Sequence, residues 1–298
     1  MSGTTLRIAS AQYDIGYFAR LEDYERKLGD WVARAAAEGA RLLVFPEYGA
    51  MELTSLFGEA VQRDLHEELA ALQSVVPAFL SLHERLAAQH DVYLVAASLP
   101  VRVGAAYHNR AHLFSPSGVM GFQDKLVMTR FERERWGVSA GDALKVFETE
   151  LGCLAVNICY DSEFPLLARA QVEAGAQLLL VPSCTDALAG YHRVRIGCQA
   201  RALENQCYVV QAPTVGTAEW SEAVDVNVGA AGVFAPPDRG FPDDGVVALG
   251  PMNEPRWIYA DVDLARAQTV RREGQVLNHR DWPTQAQAAR HAVERVRL

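Results

Sequence analysis

Short apolar runs alternate with amphipathic segments along this chain, and a strand–helix–strand–helix–strand order occurs twice. Each strand of the first copy has a partner of similar sequence in the second, in the same order. The three pairs are "RIASAQYD" (7–14) with "LAVNICYD" (154–161), "AEGARLLVFPE" (37–47) with "EAGAQLLLVPS" (173–183), and "VYLVAA" (92–97) with "CYVVQA" (207–212). This repetition predicts two similar αβ halves, the second with shorter connections.

The apolar runs also predict how the two halves pack. Each half forms a sheet with helices on one face, so the bare face of each sheet must be buried. Packing the two bare faces together gives an α/β fold, a four-layer α-β-β-α sandwich with two pseudo-symmetric halves. We therefore expect residues 1–282 to form a single domain.

Helical spacing and turn residues predict the remaining elements. A helix over 19–37 should end at Gly39, and residues 236–255, rich in Pro, Gly and Asp, should form a loop that contains a short strand. Apolar residues at helical spacing predict a C-terminal helical tail within 283–298, which we expect to lie at a subunit interface. Further helices are predicted over 64–90, 164–174 and 189–206, and further strands over 107–114, 119–123, 227–234 and 257–262.

Charge and cysteine content exclude several classes of protein. The net charge is -9, and an acidic chain repels nucleic-acid phosphates. Five cysteines, an odd number, and an N-terminus without a secretory pattern predict free thiols and a cytoplasmic location. No apolar run reaches the ~18 residues that a membrane-spanning helix needs.

Three reactive side chains follow strands, where α/β sheets build their sites. Glu47 follows a buried strand and a proline, and a partly desolvated carboxylate there would act as a general base. Lys125 follows the short strand "VMGFQ". Cys159 ends an apolar run just before a helix. Taken singly, each has an ordinary structural interpretation, namely a solvated glutamate, a surface lysine and an inert buried thiol.

The segment after Cys159 gives the thiol a functional interpretation. Pro165 fits the first turn of the next helix, and Asp161 and Ser162 are candidates for its N-cap. A helix N-terminus and a nearby lysine would stabilise a thiolate, so we expect a lowered thiol pKa.

With Glu47, Lys125 and Cys159 in this order, the chain resembles the nitrilase superfamily of carbon–nitrogen hydrolases. The resemblance rests on "VFPEYG", "QDKLVMTRFERERWG" and "ICYDSEFPLLARAQVEAGAQLLLVPS", and it extends over almost the whole chain. It implies the four-layer fold, with Glu47 as general base, Lys125 as oxyanion stabiliser and Cys159 as nucleophile. A second glutamate is implied at Glu132, with Glu134 as an alternative.

Two departures from the family pattern bear on the substrate. Leu126-Val127 stands where many members have His-Leu, and Tyr160-Asp161 stands where nitrilases tend to have Trp-Glu. The second departure resembles amidase-type branches, so amide hydrolysis is favoured over nitrile hydrolysis. The chain looks most similar to an amidohydrolase-like branch that is often fused to an acetyltransferase domain.

The resemblance implies a thioester mechanism, with the backbone N–H of Tyr160 as a second oxyanion donor. It implies no metal and no organic cofactor, and it implies a homodimer or a higher homo-oligomer. Transfer of the acyl group to an amine is an alternative within the same chemistry. An alternative from another class is a non-catalytic binding or assembly protein on the same fold. The sequence does not identify the substrate.

Other polar residues favour structural roles. His108 and His112 lie on a predicted strand, and Cys198 lies within a predicted helix, where packing is the expected role. The gaps between Cys184, His192, Cys198 and Cys207 do not fit a zinc site. Of Arg193, Arg195 and Arg201, most should be paired surface charges, although one could guide a substrate carboxylate.

Overall fold

The computed structural model describes residues 5–298, which contain fifteen strands and eight α-helices. The strands are β1 (Leu6–Asp14), β2 (Leu42–Val44), β3 (Tyr93–Val95), β4 (Leu99–Val103), β5 (Ala106–Phe114), β6 (Met120–Asp124), β7 (Val138–Ser139), β8 (Phe147–Thr149), β9 (Gly152–Val156), β10 (Leu178–Ser183), β11 (Tyr208–Thr217), β12 (Val226–Asn227), β13 (Gly232–Phe234), β14 (Val246–Leu249) and β15 (Arg256–Val262). The helices are α1 (Leu21–Ala37), α2 (Glu59–Gln62), α3 (Leu65–Leu72), α4 (Val76–His90), α5 (Pro165–Glu173), α6 (Leu188–Asn205), α7 (Leu264–Glu273) and α8 (Asn278–Ala288).

The strands form two halves with the same order and the same directions. In the first half β15, β1, β2, β3, β5 and β6 lie side by side, and β1, β2 and β3 are parallel. In the second half the order is β8, β9, β10, β11, β13 and β14, with β9, β10 and β11 parallel. Each parallel trio is flanked by antiparallel strands on both sides. The predicted pseudo-symmetry is therefore confirmed.

The side chains of the central strands alternate between two apolar layers. Ala9, Leu43 and Leu94 pack beneath α1 and α4 with residues such as Leu28 and Leu86. Their neighbours Ile8, Leu42, Val44 and Val95 belong instead to the cluster that contains the strands of the second half. Both faces of each sheet are thus buried, which explains why the strands read as continuous apolar runs. The four-layer sandwich follows from this packing.

The two halves are joined where β1 meets β11, and a strand far along the sequence completes the first sheet. The ends of β1 and β11 pair in parallel, at Tyr13 with Thr214 and at Asp14 with Val215. Strand β15 then pairs along β1 from Leu6 with Val262 to Gln12 with Arg256. The loop 236–255 contains the short strand β14, as predicted.

The helix predicted over 64–90 is interrupted. Helix α3 ends at Leu72 and α4 begins at Val76, with Pro77 in its first turn. A proline lacks the N–H group and collides with the carbonyl group four residues before it, so Pro77 favours the first turn of a new helix over the interior of a longer one. The prediction of a single helix was wrong at this point.

The C-terminal tail also differs from its prediction. Helix α8 ends at Ala288, and residues 289–298 have no helix. Val293 is 92% exposed and Val296 is 74% exposed, so the expected helical stripe does not form within this chain. In residues 5–298 no helix is both long and apolar enough to cross a membrane.

Candidate active site

Three strand ends bring Glu47, Lys125 and Cys159 together. Glu47 follows β2, Lys125 follows β6, and Cys159 begins a 3-10 turn that follows β9. All three residues are buried, with 1%, 1% and 4% of their surfaces exposed. For a lysine and a glutamate this degree of burial is unusual unless the charges are paired.

The ammonium group of Lys125 lies between two carboxylates. Nζ donates to Glu47 Oε1 at 2.8 Å and to both oxygens of Glu132, at 2.8 and 2.7 Å. Glu132 also accepts hydrogen bonds from the Tyr48 hydroxyl at 2.6 Å and from the Thr129 hydroxyl at 2.7 Å. Burial opposes the charge of Lys125, but the two carboxylates outweigh it and raise the lysine pKa. Lys125 therefore stays an ammonium ion.

A chain of hydrogen bonds fixes the carboxylate of Glu47. Asn109 Nδ2 donates to Glu47 Oε1 at 2.9 Å, and the Ser98 hydroxyl donates to Asn109 Oδ1 at 2.6 Å. The backbone N–H of Tyr48 donates to the same hydroxyl at 2.9 Å. All three side chains, Glu47, Asn109 and Ser98, are buried. The carboxylate is therefore held in one orientation without contact with bulk water.

The peptide groups of Cys184 connect Glu47 with Cys159. The backbone N–H of Cys184 donates to Glu47 Oε2 at 3.0 Å, and Cys159 Sγ donates to the carbonyl oxygen of Cys184 at 3.7 Å. The sequence carries no signal for these contacts, because Cys184 takes part in them through its backbone atoms only. The Cys184 side chain points elsewhere, with its thiol donating to Asn227 Oδ1 at 3.3 Å.

Cys159 adopts a backbone conformation that is uncommon for its residue type. Its φ is +48°, in the left-handed region. Such residues cost of the order of 1–3 kcal/mol and are found mainly at active sites and ligand clamps, where the surrounding structure holds them. Here the 3-10 turn Cys159–Glu163 leads directly from the strained residue to α5. The strain is consistent with a functional thiol rather than a packing one.

The thiol pKa differs in direction from the sequence-based expectation. Burial raises the pKa of Cys159 well above its ordinary value, and the nearby Glu47 carboxylate raises it further, while Lys125 acts in the opposite direction. The expected helix N-terminus is also displaced, because α5 begins at Pro165 rather than beside the thiol. The resting side chain is therefore a neutral thiol, whose proton must leave during a reaction. Burial raises the pKa of Glu47 too, which makes it a better proton acceptor.

The residues predicted to cap α5 have other partners. Pro165 is at the start of α5, as predicted, but the N-cap position is Phe164, and no side chain caps the helix. The Ser162 hydroxyl donates to the Cys159 carbonyl oxygen at 2.6 Å. Asp161 is buried, and its carboxylate accepts backbone N–H groups next to Lys125 and Cys159. The N-cap prediction for Asp161 and Ser162 was therefore wrong.

The two candidate second glutamates lie in different surroundings. Glu132 is buried against Lys125, whereas the Glu134 side chain is 46% exposed and pairs with Arg130 at 2.7 Å. Burial acts to raise the Glu132 pKa, but Lys125 and the hydrogen bonds outweigh it, so the pKa is lowered. Glu132 is therefore the ionised partner of the lysine.

Glu132→Gln is expected to lower turnover by the order of tenfold or more, and Glu134→Gln should change it little. A hydrogen bond to a charged group contributes about 1.5–3 kcal/mol, and 1.4 kcal/mol corresponds to tenfold in rate. Steady-state kinetics of the two variants provides a matched comparison. Equal rates for both variants would show that the contact between Glu132 and Lys125 has no part in the reaction.

The side chains of the other singled-out residues have packing or ion-pair contacts. Tyr160 is half-buried, and its ring meets Phe164 edge-on at 4.9 Å. Cys198 is fully buried, as expected for packing, and burial lowers the pKa of His112 to about 3. Arg201 is buried and pairs with Glu204 at 2.9 Å. All five cysteines are free thiols.

Comparison with known proteins gives a consistent result. The model of the family described as "Carbon-nitrogen hydrolase" matches residues 7–272. The chain is 35% identical over 285 residues to "Probable hydrolase YhcX" of Bacillus subtilis (strain 168), which covers 94% of this chain and 54% of that protein. It thus spans about half the length of that relative.

Amidases are found among both the curated proteins and the solved structures that match. "Omega-amidase NIT2" of Danio rerio is 27% identical over 259 residues, covering 84% of this chain and 86% of that protein. A mutant of the amidase from Nesterenkonia sp. AN1 matches with a TM-score of 0.69 and 26% identity, covering 95% of this chain and 98% of that one. That structure is described as showing covalent addition of the acetamide moiety of fluoroacetamide at the active site cysteine.

Proposed function

Because this chain belongs to the carbon–nitrogen hydrolase family of the nitrilase superfamily, we propose that it hydrolyses an amide-type small molecule through a thioester on Cys159. The observation that carries the proposal is the backbone of Cys184, whose N–H contacts the Glu47 carboxylate and whose carbonyl oxygen contacts the Cys159 thiol. A buried thiol with a raised pKa needs a base beside it, and Glu47 is that base.

The first half of the reaction forms the thioester. Cys159 Sγ attacks the amide carbon while its proton passes to Glu47, and the carbonyl electron pair moves onto oxygen. The Lys125 ammonium group and the backbone N–H of Tyr160 stabilise this oxyanion. The C–N bond then breaks, Glu47 returns the proton to nitrogen, and ammonia or an amine leaves.

The second half releases the acid. Glu47 takes a proton from water as the water oxygen attacks the thioester carbon, and the same two donors stabilise the second oxyanion. The C–S bond breaks, and the proton returns to sulfur. Hydrogen bonds from Asn109 and from the Cys184 N–H keep Glu47 in place for both halves.

Two observations favour an amide over a nitrile as the substrate. Tyr160-Asp161 follows the nucleophile, where nitrilases tend to have Trp-Glu. In addition, the similar proteins include an omega-amidase and the Nesterenkonia amidase. Acyl transfer to an amine uses the same thioester and differs only in the acceptor. In this proposal residues 1–282 form one catalytic domain, and the enzyme works in the cytoplasm.

Ammonia release from amides, carbamoyl compounds and nitriles tests the substrate class. We expect release from amides, together with a mass increase equal to the acyl group on the peptide that contains Cys159. Adding a primary amine separates hydrolysis from transfer, since only a transferase converts most of the thioester to a new amide. A panel in which only nitriles react would contradict the proposal, and a protein that forms no adduct would favour a binding role.

The outer helices of the second half offer a surface for a second copy of the chain. Leu166 on α5 is 70% exposed, and Ile196 and Leu203 on α6 are 64% and 40% exposed. Ile196 and Leu203 are seven residues apart and share one helix face. In the proposed homodimer these helices pair across a two-fold axis, and the tail 283–298 lies at a subunit interface.

Ile196→Glu is expected to convert a dimer into a monomer, because it places a charge in an apolar contact. Light scattering should give twice 32.7 kDa for the parent and 32.7 kDa for the variant. Val119→Glu is the matched control, since Val119 is 69% exposed on a different part of the fold. A monomeric parent at micromolar concentration would rule out the dimer.

A further inference from the structure

The side chain of Asp161 lies between the segment that carries the lysine and the turn that carries the thiol. Asp161 is 2% exposed. Its Oδ1 accepts the backbone N–H of Val127 at 2.8 Å and that of Leu126 at 3.1 Å. Its Oδ2 accepts the N–H of Ile158 at 3.3 Å, and it lies 3.2 Å from the N–H of Leu126. One carboxylate thus links the two residues after Lys125 with the residue before Cys159.

These bonds connect segments that follow strands of different halves. Strand β6, before Lys125, belongs to the first half of the molecule, whereas β9, before Cys159, belongs to the second. The ammonium group and the thiol therefore approach each other across the boundary between the two halves. Their separation depends on whatever fixes the segment 125–127 against the turn 158–163.

We propose that Asp161 is a positioning residue that sets the place of the Lys125 ammonium group relative to the Cys159 thiol. The proposal rests on the proposed function, in which that ammonium group stabilises the oxyanion formed at the carbon attacked by Cys159. A reacting group misplaced by about 1 Å can cost on the order of 10²-fold in rate. Losing this carboxylate should therefore lower the rate of the chemical step rather than substrate binding.

A purely structural role for Asp161 is the competing explanation. Asp161 does cap the 3-10 turn Cys159–Glu163, because its Oδ2 accepts the N–H of Ile158, the N-cap residue of that turn. A carboxylate with this role alone would not also accept the N–H groups of Leu126 and Val127. Asp161 does not cap α5, whose N-cap residue is Phe164 and which has no side-chain cap. The partners of Asp161 are 34, 35 and 3 residues away in the sequence, on both sides of the site.

Asp161→Asn is the decisive variant, because an amide keeps the shape but replaces one acceptor by a donor. Its NH₂ group must face an N–H group of either Val127 or Ile158. We expect kcat to fall on the order of 10²-fold while KM changes less than about threefold. Asp161→Glu, which keeps two acceptor oxygens, should recover part of the loss.

Asp238→Asn is the matched control. The Asp238 carboxylate is also nearly buried and accepts a backbone N–H from a distant segment, that of Gln275 at 3.0 Å. It has no contact with the site residues. We expect normal kcat for this variant, even if its thermal stability falls as much as that of Asp161→Asn.

Amide hydrogen exchange reports on the link without any substrate. In Asp161→Asn, exchange should rise in both 125–128 and 158–163 and stay unchanged in distant strands. An active parent whose Asp161→Asn variant keeps normal kcat would overturn the positioning role and leave the proposed function standing. A loss of kcat that Asp238→Asn shares, or a rise in exchange over the whole chain, would also overturn it. If the parent hydrolyses no C–N bond, the proposed function fails. The hydrogen exchange of segments 125–128 and 158–163 then shows by itself whether Asp161 links them.

Discussion

Replacing Cys159 by alanine is expected to abolish turnover while the protein remains folded. In the proposed mechanism this thiol forms the covalent bond to the substrate, whereas the thiol of Cys184, whose backbone N–H contacts Glu47, donates to Asn227. Loss of a nucleophile elsewhere has cost on the order of 10⁶ in kcat. We expect a loss of at least ~10⁴-fold, measured as ammonia release from any amide that the parent hydrolyses.

The control for this variant is Cys153→Ala, which removes a half-buried thiol from β9, the strand that leads to the site. It should keep most of the activity and show the same acyl adduct as the parent. Comparable turnover by Cys159→Ala and the parent would mean that the nucleophile has been assigned to the wrong residue.

The second large effect concerns Glu47 and Lys125, which we expect to act as one unit. In the proposed mechanism Glu47→Gln removes the base for both halves of the reaction, and Lys125→Ala removes a charged oxyanion donor. Losing one such donor elsewhere costs about 10²–10³ in rate, so each single variant should lose at least that much. Because their side chains bond to each other at 2.8 Å, the losses should not add, and the double variant should be little worse than the poorer single one.

The free energies of unfolding of these variants should rank differently from their reaction rates. Lys125→Ala leaves Glu47 and Glu132 buried without their cation, and breaking a buried ion pair typically costs about 3–5 kcal/mol. Adding Glu47→Gln neutralises one of the two carboxylates, so the double variant should regain part of the lost unfolding free energy. Denaturant unfolding measures this difference in free energy directly.

The rates of the variants test the coupling. If each single variant loses less than tenfold in rate, and the double variant loses the product of the two, the side chains do not cooperate.

Much of the fold could be predicted because its strands are buried on both faces. Continuous apolar runs at β1, β2, β9 and β10 identify buried strands, and their repetition predicts the four layers. The break at Pro77 was missed because the apolar spacing continues on both sides of it. The end of α8 was missed because a weak stripe of alanine and valine does not specify a helix without a surface to pack on.

Only those parts of the site that depend on reactive side-chain types could be predicted from the sequence. Glu47, Lys125 and Cys159 follow strands, which makes them candidates, and their roles are implied by the resemblance to the nitrilase superfamily. The support from Asn109 and from the Cys184 N–H depends on tertiary contacts, and a backbone N–H is present at nearly every residue. The direction of the thiol pKa also depends on burial, which a strand-to-helix position does not reveal.

The pairing of β15 with β1 has a consequence for how the chain is made. Strand β1 ends at Asp14, yet its partner β15 begins only at Arg256, so β1 is synthesised long before β15. Until then β1 presents an open edge, and open strand edges are templates for pairing with other chains. The sheet of the first half thus cannot be completed until residues 256–262 have been made, and long-range pairing of this kind slows folding. A chain that stops before residue 256 would keep that edge exposed, so incomplete chains should aggregate more readily than the finished protein.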